Sequence, residues 1–432
     1  MPHSAIESSS ALLEHFRATR ARSSFLVDPL AAEDMVVQSM PDVSPTKWHL
    51  AHVTWFFETF VLREFVQNYE VFDRQFEVLF NSYYETVGRM HPRAERGLLS
   101  RPTVEEVFRY REHVDCAVEE LIASIDRCSE ADALEIQRRL EIGLHHEEQH
   151  QELLLMDIKH VLGSNPLKPA YRPELPGPDA SETRPLRMLD HDGGLVEVGH
   201  RAGSGFSYDN EGPRHEVYLR PFRIADRVVT SGEWLEFMDD GGYERVDLWL
   251  ADGWSWAQNE GVRAPLYWRH DGDQHLVYSL AGEQPVDEAT PVVHISYFEA
   301  DAFARWAGKR LPTEFEWEAM AATKLRSGER PTGRMLGVGS DACHPRSALG
   351  SDEQWFGDLW EWTGSAYLGY PGFRPLEGSL GEYNGKFMSG QFVLRGGSCV
   401  TPNGHLRISY RNFFYPKQRW AFAGLRLAED TD

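Results

Sequence analysis

Apolar residues recur with a helical period from the start of the chain to about Gly163. Thr103 and Glu106 match a capping box, and the apolar positions between residues 107 and 125 then repeat at helical spacing. A last long helix is predicted from about Asp132 to Leu162, with Gly163 at the position of a C-terminal cap. Long amphipathic helices of this kind predict a four-helix bundle, whose inward side chains commonly build metal sites.

The pattern changes after this predicted bundle. Prolines interrupt residues 164–185, which predicts an extended, semi-rigid linker. Beyond it, alternating segments such as Leu195–Val198 and His215–Leu219 predict half-buried strands, and short helices are predicted at Ser231–Asp239 and Tyr297–Trp306. The predicted organisation is a bundle over 1–163, a linker over 164–185 and a mixed α+β domain over 186–432.

Size, charge and cysteine content narrow the class of protein. A chain of 432 residues predicts two domains. With 44 Lys and Arg against 67 Asp and Glu, the net charge of −23 makes nucleic acid and anionic membranes poor partners. Residues 1–10 do not resemble a signal peptide, and the four cysteines are scattered, which predicts reduced thiols and a cytoplasmic protein. The sequence does not indicate an oligomeric state.

Three histidines on two predicted helices are the strongest chemical signal. His146 and His150 are four residues apart and therefore share one helical face. His52 lies on the helix predicted to start after Ser44, with Pro45 at the first helical position. Together the three imidazoles could hold one metal ion and leave positions open for substrate and oxygen.

The residues alone leave other interpretations open. The segment His146–His150 also fits the His-Glu-x-x-His pattern of zinc peptidases, in which Glu147 would be the general base. His52, which stands among aromatic residues, could be a hydrogen-bonded core residue, and His49 and His145 are further candidate ligands. Composition and spacing do not distinguish iron from zinc.

Longer motifs resemble known families. Trp48–His52 and His146–Glu152 are similar to the two ligand segments of a DinB-like four-helix bundle. The C-terminal half resembles the formylglycine-generating-enzyme-like variant of the C-type-lectin fold, although Cys399 stands alone where those enzymes need a cysteine pair. Its marks are Val229-Thr230, Lys309–Glu318, Gly357–Trp362, Leu394–Ser398 and Ala423–Arg426. Together the two halves resemble the non-haem iron sulfoxide synthases of ergothioneine biosynthesis over nearly the whole chain.

This resemblance implies a specific reaction. His52, His146 and His150 would hold Fe(II). The substrates would be hercynine, a thiol and O2, and the product would carry a new C–S bond at imidazole C2, oxidised to the sulfoxide. Gln149 matches a family residue that contacts hercynine, and Asn412 matches another near its carboxylate or trimethylammonium end.

Two departures concern the thiol donor. The branch that uses γ-glutamylcysteine carries a tyrosine where this chain has Gln391-Phe392, and Asn-Trp-Asp where it has Asn412–Phe414. The branch that uses free cysteine is more similar, because it carries a tyrosine pair such as Tyr83-Tyr84. L-Cysteine is therefore the expected donor. Tyr84, with Tyr83 as the second candidate, would supply a proton or hydrogen atom, unless the two tyrosines only pack a loop.

The remaining substrate contacts are expected from arginine and aromatic side chains. In the family, basic residues of this stretch hold the carboxylate of the thiol, which indicates Arg93 and Arg96 here. The sequence alone does not separate them from Arg89 and Arg101, or from a solvated basic patch. Phe413 and Phe414, beside Asn412, are expected to contact substrate.

Three other functions remain compatible with the sequence. A selenoneine synthase would form a C–Se bond on hercynine with the same architecture. A zinc-dependent hydrolase would depend on Glu147 and not on Gln149. A non-catalytic binding module would tolerate the loss of His146.

Overall fold

The computed structural model describes residues 8–175, 184–326, 329–337, 343–350 and 353–431. The chain forms two compact units. The first contains the described chain up to Leu167 together with Gly203–Phe206 and Leu376–Tyr383, and the second contains the other described residues. The predicted domain boundaries did not place these two later segments in the first unit. Pro176 and Pro178 of the predicted linker lie outside the described residues.

The first unit is helical, as the DinB-like prediction requires. Helices α1, α2, α5 and α6 pack on one another, and α2 contacts both α5 and α6. A π-helical turn, Glu58–Leu62, follows α2 directly. The helices are α1 (Ser9–Val27), α2 (Thr46–Phe57), α3 (Arg63–Phe65), α4 (Phe76–Phe80), α5 (Val104–Ser124) and α6 (Glu130–Ser164).

Helix α2 is buried on every side. All of its residues are buried, including Lys47, His49 and His52. The Lys47 ammonium donates hydrogen bonds to the backbone carbonyls of Leu99 and Pro102, at 2.5 and 2.8 Å. A polar side chain at such depth needs a partner, because an unpaired buried polar group costs about 1–3 kcal/mol. The first unit therefore places α2 at its centre, where its histidines are removed from water.

Two predicted helix ends are wrong and one is confirmed. The capping box of Thr103 and Glu106 is present at the start of α5. Helix α2, however, begins at Thr46, so that Pro45 is the N-cap and Ser44 lies before it. The Ser44 amide donates instead to Asp157 Oδ2 at 2.8 Å, because that carboxylate faces the start of α2.

The second wrong end is that of α6. Gly163 lies inside this helix, whose C-cap is Asn165. Asn165 takes an extended conformation, so the helix stops there without needing a left-handed glycine.

A buried ionic cluster joins α6 to α1 and α5. The Glu147 carboxylate accepts from Arg20 Nη1 at 2.7 Å, from Ser23 Oγ at 2.6 Å and from Arg111 Nη2 at 3.1 Å. Arg20 also pairs with Asp115 at 2.7 Å. Removal of one partner of such a buried pair typically costs about 3–5 kcal/mol, because the other charge stays buried. The cluster therefore fixes the rotation of α6 about its axis.

The second unit combines antiparallel sheets with short helices, as the predicted fold class requires. Its helices are α7 (Ser231–Asp239), α8 (Ala251–Asn259), α9 (Tyr297–Trp306) and α10 (Glu314–Ala322). Its strands are β1 (Met188–His191), β2 (Gly194–Val198), β3 (His215–Leu219), β4 (Phe222–Ala225), β5 (Trp268–Asp271), β6 (Gln274–Ser279), β7 (Gly282–Pro285), β8 (Trp360–Ala366), β9 (Phe392–Arg395), β10 (Asn412–Phe414), β11 (Ala423–Leu425) and β12 (Ala428–Asp430).

The sheets have the orders β1-β4-β12, β10-β9-β8-β11, β2-β3 and β5-β6-β7. Within them β11 pairs with β8 in parallel, and the other pairs of neighbouring strands are antiparallel. The predicted helices α7 and α9 are confirmed. Helices α8 and α10 were not predicted, although Thr313 and Glu316 form a capping box at the start of α10.

Motifs of the second unit converge on a buried carboxylate. Glu361 accepts from Arg426 Nε at 2.7 Å and from Trp317 Nε1 at 2.8 Å. Gly424, on the neighbouring strand, has no room for a side chain, because a Cβ atom would come within 2.5 Å of the Val292 carbonyl oxygen. These contacts join three of the sequence motifs into one core, so the motifs are explained by packing.

Among the described helices, none is both long and apolar enough to cross a membrane.

Candidate metal centre

The structure brings together the three histidines that the sequence singles out. Ligand atoms of His52, His146 and His150 lie within 4.8 Å of one another. The ring centroids are 5.0 Å apart for His52 and His146, 4.8 Å for His52 and His150, and 4.7 Å for His146 and His150. Because α2 and α6 pack side by side, one histidine of α2 faces two histidines of α6. Three imidazoles at this separation could bind one metal ion.

Burial keeps these imidazoles neutral. Burial lowers the pKa of His146 to about 3. It also lowers the pKa values of His52 and His150 well below the ordinary value, and the neighbouring His146 lowers both further. A histidine must be neutral to bind a metal, so the three side chains are in the required protonation state at neutral pH.

The tautomer of His52 follows from its hydrogen bond. His52 Nδ1 lies 2.6 Å from the carbonyl oxygen of Phe80, which can only accept. The proton therefore sits on Nδ1, and Nε2 carries the lone pair. His52 Nε2 and both ring nitrogens of His146 are buried without a hydrogen-bond partner among the described residues. A neutral imidazole has one acceptor nitrogen, so His52 and His146 each offer a buried lone pair that could bind a cation.

The tautomer of His150 is set through two further side chains. His49 Nε2 lies 2.9 Å from Asp157 Oδ2, and His49 Nδ1 lies 2.8 Å from His150 Nδ1. Because the carboxylate accepts, a neutral His49 ring donates from Nε2 and accepts at Nδ1. His150 must then donate from Nδ1, which leaves its Nε2 lone pair for a metal. His49, a candidate ligand in the sequence, lies behind the cluster as a hydrogen-bond partner.

Aromatic rings hold the imidazoles in place. Trp48 stacks on His52 with centroids 4.6 Å apart and planes 13° apart, and Trp55 stacks on it at 5.7 Å and 15°. Phe56 lies against His146 at 4.8 Å. The rings restrict rotation of the imidazoles and keep water from their faces, which explains why aromatic residues surround His52 in the sequence.

His145 and Glu147 lie outside the cluster. His145 Nδ1 contacts Glu148 at 3.1 Å, and its ring stacks on Phe206 at 4.0 Å. Burial alone would raise the pKa of Glu147, but Arg20 and Arg111 lower it to about 2. A carboxylate held by two arginines is a poor general base, so this arrangement disfavours the zinc peptidase.

Tyrosines lie beside the histidine cluster. Tyr83 and Tyr84 are not in a strand, and their rings pack with centroids 4.6 Å apart and hydroxyls 3.5 Å apart. Asn81 fixes the turn by accepting from the Tyr84 amide at 3.1 Å and donating to the Tyr84 carbonyl at 2.9 Å. Both tyrosines therefore lie on one side of the loop, which a strand would not allow.

Tyr383 is a neighbour of the cluster that the sequence did not reveal. Its hydroxyl donates to the Gln149 side-chain oxygen, and its ring lies 5.6 Å from His146 and 6.0 Å from Tyr83. The preceding residue, Glu382, anchors this segment by accepting from the amides of the tyrosine loop. No local pattern marks Tyr383, because its contacts connect residues more than 200 positions apart in the chain.

The arginine candidates differ in their surroundings. Arg96 is buried, with its guanidinium 3.4 Å above the Trp48 ring, and it donates to Ser44 Oγ at 2.9 Å and Ser82 Oγ at 3.1 Å. Burial, and then the nearby Arg93, lower the pKa of Arg96 well below its ordinary value. Among the described residues no carboxylate lies within ion-pair distance of Arg96, although the Asp157 carboxylate acts from farther away and raises the pKa of Arg96 in part. By contrast, Arg93 is exposed and donates to the backbone oxygen of Asp42.

Comparisons with known proteins agree with this architecture. The family model of the DinB superfamily matches residues 15–154, and that of the sulfatase-modifying factor enzyme 1-like domain matches residues 174–431. The chain is 34% identical to hercynine oxygenase of Mycolicibacterium thermoresistibile, over 91% of this chain and 89% of that protein. The chain belongs to the hercynine oxygenase family. The resemblance noted in the sequence is thereby confirmed.

Two further relatives support membership of the hercynine oxygenase family. The hercynine oxygenase of Mycobacterium tuberculosis is 34% identical over 96% of this chain and 98% of that protein. Ergothioneine biosynthesis protein 1 of Schizosaccharomyces pombe is 30% identical over 52% of this chain and 28% of that protein. The chain is therefore a member of a family of oxygenases.

Three further residues expected to contact substrate, Asn412, Phe413 and Phe414, belong to the second unit. Asn412 Oδ1 accepts from the Phe413 amide at 2.9 Å. Phe413 stacks on Tyr367 with centroids 4.0 Å apart, and Phe414 lies 5.5 Å from Trp420. All three are half-buried on β10. Their contact with substrate stays a prediction.

We expect each of His52→Ala, His146→Ala and His150→Ala to abolish stoichiometric binding of a divalent metal. Each change removes one of three donors, and the remaining two cannot form the cap. Metal content is measured by elemental analysis after anaerobic loading with Fe(II) and desalting. His113→Ala, at an exposed position on α5, is the control and should retain the metal. Full occupancy in any one of the three variants would show that this ligand set is wrong.

Proposed function

We propose that this protein catalyses O2-dependent joining of L-cysteine to imidazole C2 of hercynine, with oxidation of the sulfur to the sulfoxide, in ergothioneine biosynthesis. The observation that carries the proposal is the set of three neutral imidazoles whose ligand atoms lie within 4.8 Å of one another, with His52 and His146 buried and His150 half-buried. The names of the relatives support hercynine as the substrate and ergothioneine as the pathway product.

The donor set fits Fe(II) held by His52, His146 and His150. Three neutral nitrogen ligands on one side leave the other positions open, and the reaction with O2 needs a redox-active ion, which zinc is not. When bound, iron would supply the activation of O2 and bring the thiolate and the imidazole together as neighbours. The protein's own residues then have to orient two organic substrates and move protons.

Gln149 is suited to orient hercynine. It lies on α6 one residue before the ligand His150 and three after His146, so it projects from the same side of the helix. The Tyr383 hydroxyl donates to its side-chain oxygen, which fixes the orientation of the amide. An amide held in this way can place hercynine without itself moving, and preorganisation of this kind lowers the entropic cost of binding.

Arg96 is suited to hold the carboxylate of cysteine. A buried guanidinium without a carboxylate partner is costly, because a buried charge needs compensation. Arg96 lies over one face of Trp48, and His52 stacks on the same indole. A carboxylate bound by Arg96 would therefore be close to the histidine cluster. Arg93, predicted together with it, is exposed and bound to a backbone carbonyl, which favours Arg96.

Tyr84 is suited to move a proton. It is fully buried, and its ring lies 5.7 Å from Trp55, whose indole stacks on His52. Its hydroxyl is 3.5 Å from that of Tyr83, which is half-buried, so the pair can pass a proton from the more accessible residue to the buried one. We assign to Tyr84 the delivery of a proton as oxygen is reduced.

The reaction is tested with protein loaded anaerobically with Fe(II) and then supplied with hercynine, O2 and a donor. We expect L-cysteine to give the hercynyl-cysteine sulfoxide, identified by mass spectrometry. Parallel reactions with γ-glutamylcysteine and with a selenosugar test the other branch and the selenoneine synthase. Formation of a C–Se product alone would replace the proposed donor, and no consumption of hercynine with any donor would refute both functions.

Arg96→Gln is expected to raise the KM for cysteine about 10- to 100-fold while the KM for hercynine changes little. The reason is the loss of a charge-assisted hydrogen bond to the carboxylate, typically about 1.5–3 kcal/mol. Initial rates at varied cysteine and varied hercynine provide the measurement. Arg93→Gln is the matched control and should leave both KM values nearly unchanged. An equal rise of the two KM values would assign Arg96 a structural role only.

Tyr84→Phe is expected to slow sulfoxide formation and to divert part of the cysteine to its sulfinic acid, the product of dioxygenation. The change removes the hydroxyl and keeps the packing of the ring. The ratio of the two products is measured by mass spectrometry under saturating substrates. Tyr218→Phe, at an exposed position of the second unit, is the control. If the ratio in Tyr84→Phe equals that of the wild type, the loop tyrosines only pack.

A further inference from the structure

A pair of buried side chains behind His150 has no place in the function proposed so far. His49 lies on α2 and Asp157 on α6, and the exposed fraction of each residue is 3%. Together with His150 they form a chain of hydrogen bonds, from the His150 ring through the His49 ring to the Asp157 carboxylate. This series of hydrogen bonds ends at the Asp157 carboxylate, which carries a formal negative charge.

We propose that His49 and Asp157 are positioning residues that hold the His150 imidazole with its Nε2 lone pair toward the metal and strengthen it as a ligand. The inference rests on the proposed metal centre. It extends that centre from three ligands to the groups that orient one of them, and it assigns His49 and Asp157 no contact with substrate.

The direction of the hydrogen bonds is fixed at the carboxylate end. Asp157 Oδ2 accepts from the Ser44 amide at 2.8 Å and from His49 Nε2 at 2.9 Å. Because the Ser44 amide belongs to the backbone before α2, it holds this oxygen in place. A neutral His49 ring is left with an acceptor at Nδ1, so the bond that it makes with His150 is one in which His150 donates.

The ligands differ in what orients them. The Nδ1 proton of His52 is given to a backbone carbonyl, a neutral acceptor. That of His150 is given to a ring that is itself polarised by a carboxylate. A partner that draws the Nδ1 proton makes the other nitrogen more basic and a stronger metal ligand, and such outer partners typically change metal affinity about 10- to 100-fold. His150 is therefore expected to be the ligand whose strength the protein sets most directly.

Helical spacing explains why these hydrogen bonds can form. His49 and His52 are three residues apart on α2, and His150 and Asp157 are seven apart on α6, so each pair shares a helical face. The two faces pack against each other, since α2 contacts α6. These two helical faces thus supply the metal ligands and also the residues that orient His150.

The experiment measures metal affinity without substrate. Metal-free protein is titrated with Co(II) in competition with a chelator, and the visible spectrum of the bound ion is recorded. Asp157→Asn keeps the size of the side chain and an oxygen that can accept from His49, but removes the charge. We expect it to weaken Co(II) binding about 10- to 100-fold and to shift the visible bands. His49→Ala should weaken binding at least as much.

The double variant His49→Ala/Asp157→Asn provides the sharpest comparison. If Asp157 acts through His49, its replacement costs nothing further once His49 is absent, so the double variant should bind Co(II) as His49→Ala does. His160→Ala is the matched control. It removes a histidine on α6 that bonds to Ser39 Oγ at 2.7 Å, and it should bind Co(II) like the wild type.

The possible outcomes separate the two proposals. Failure of the wild type to bind Co(II) would refute the metal centre itself and, with it, this inference. Binding by the wild type together with unchanged affinity in Asp157→Asn would refute the role of Asp157 alone. Additive losses in the double variant would show that the two residues act independently. Thermal unfolding of the metal-free proteins identifies a general loss of stability, which would lower Tm without changing the spectrum.

Discussion

The structure depends on three neutral imidazoles that lie side by side inside a helical bundle. Without a cation, this arrangement raises the free energy of the folded protein. His52 Nε2 and the ring nitrogens of His146 are buried, and the described residues provide them with no hydrogen-bond partner, whereas His150 is half-buried. An unsatisfied buried polar atom costs about 1–3 kcal/mol, so the cluster opposes folding of the metal-free chain unless the surrounding structure compensates. A divalent cation bound by the three rings would remove this cost, and metal binding would then be coupled to folding.

The surrounding structure compensates on another side of α6, about a quarter-turn from His146. His146 faces α2, and the next residue, Glu147, enters the ion cluster with Arg20 and Arg111. Because neighbouring residues on a helix are about 100° apart, a fixed Glu147 also fixes the direction of His146. The aromatic rings on α2 likewise restrict the direction of the imidazole that they stack on. The bundle therefore orients the imidazoles in two ways. The ion pairs of Glu147 fix α6, and aromatic stacking fixes the histidine of α2.

The sequence predicted those parts of the site that short-range spacing determines. The pairing of His146 with His150 follows from a separation of four residues, and the start of α5 follows from a capping box. The proposal of Arg96 among the four candidate arginines could not be made from the sequence, since it rests on the burial of Arg96 and its contact with Trp48. Tyr383 was likewise hidden, because its contact with Gln149 depends on tertiary packing of a distant segment. Gly163 was misread because the helix continues through it and ends at an extended Asn165.

The segment Leu376–Tyr383 belongs to the helical unit although it is encoded far downstream of it. Protein synthesis proceeds from the N-terminus, so the long helices leave the ribosome before Tyr383 has been translated. The bundle helices and their histidines are therefore synthesised well before the residue that contacts Gln149. The contact between Tyr383 and Gln149 can therefore form only after this downstream segment has emerged. The histidine cluster and the Gln149–Tyr383 contact thus become possible at different moments of synthesis.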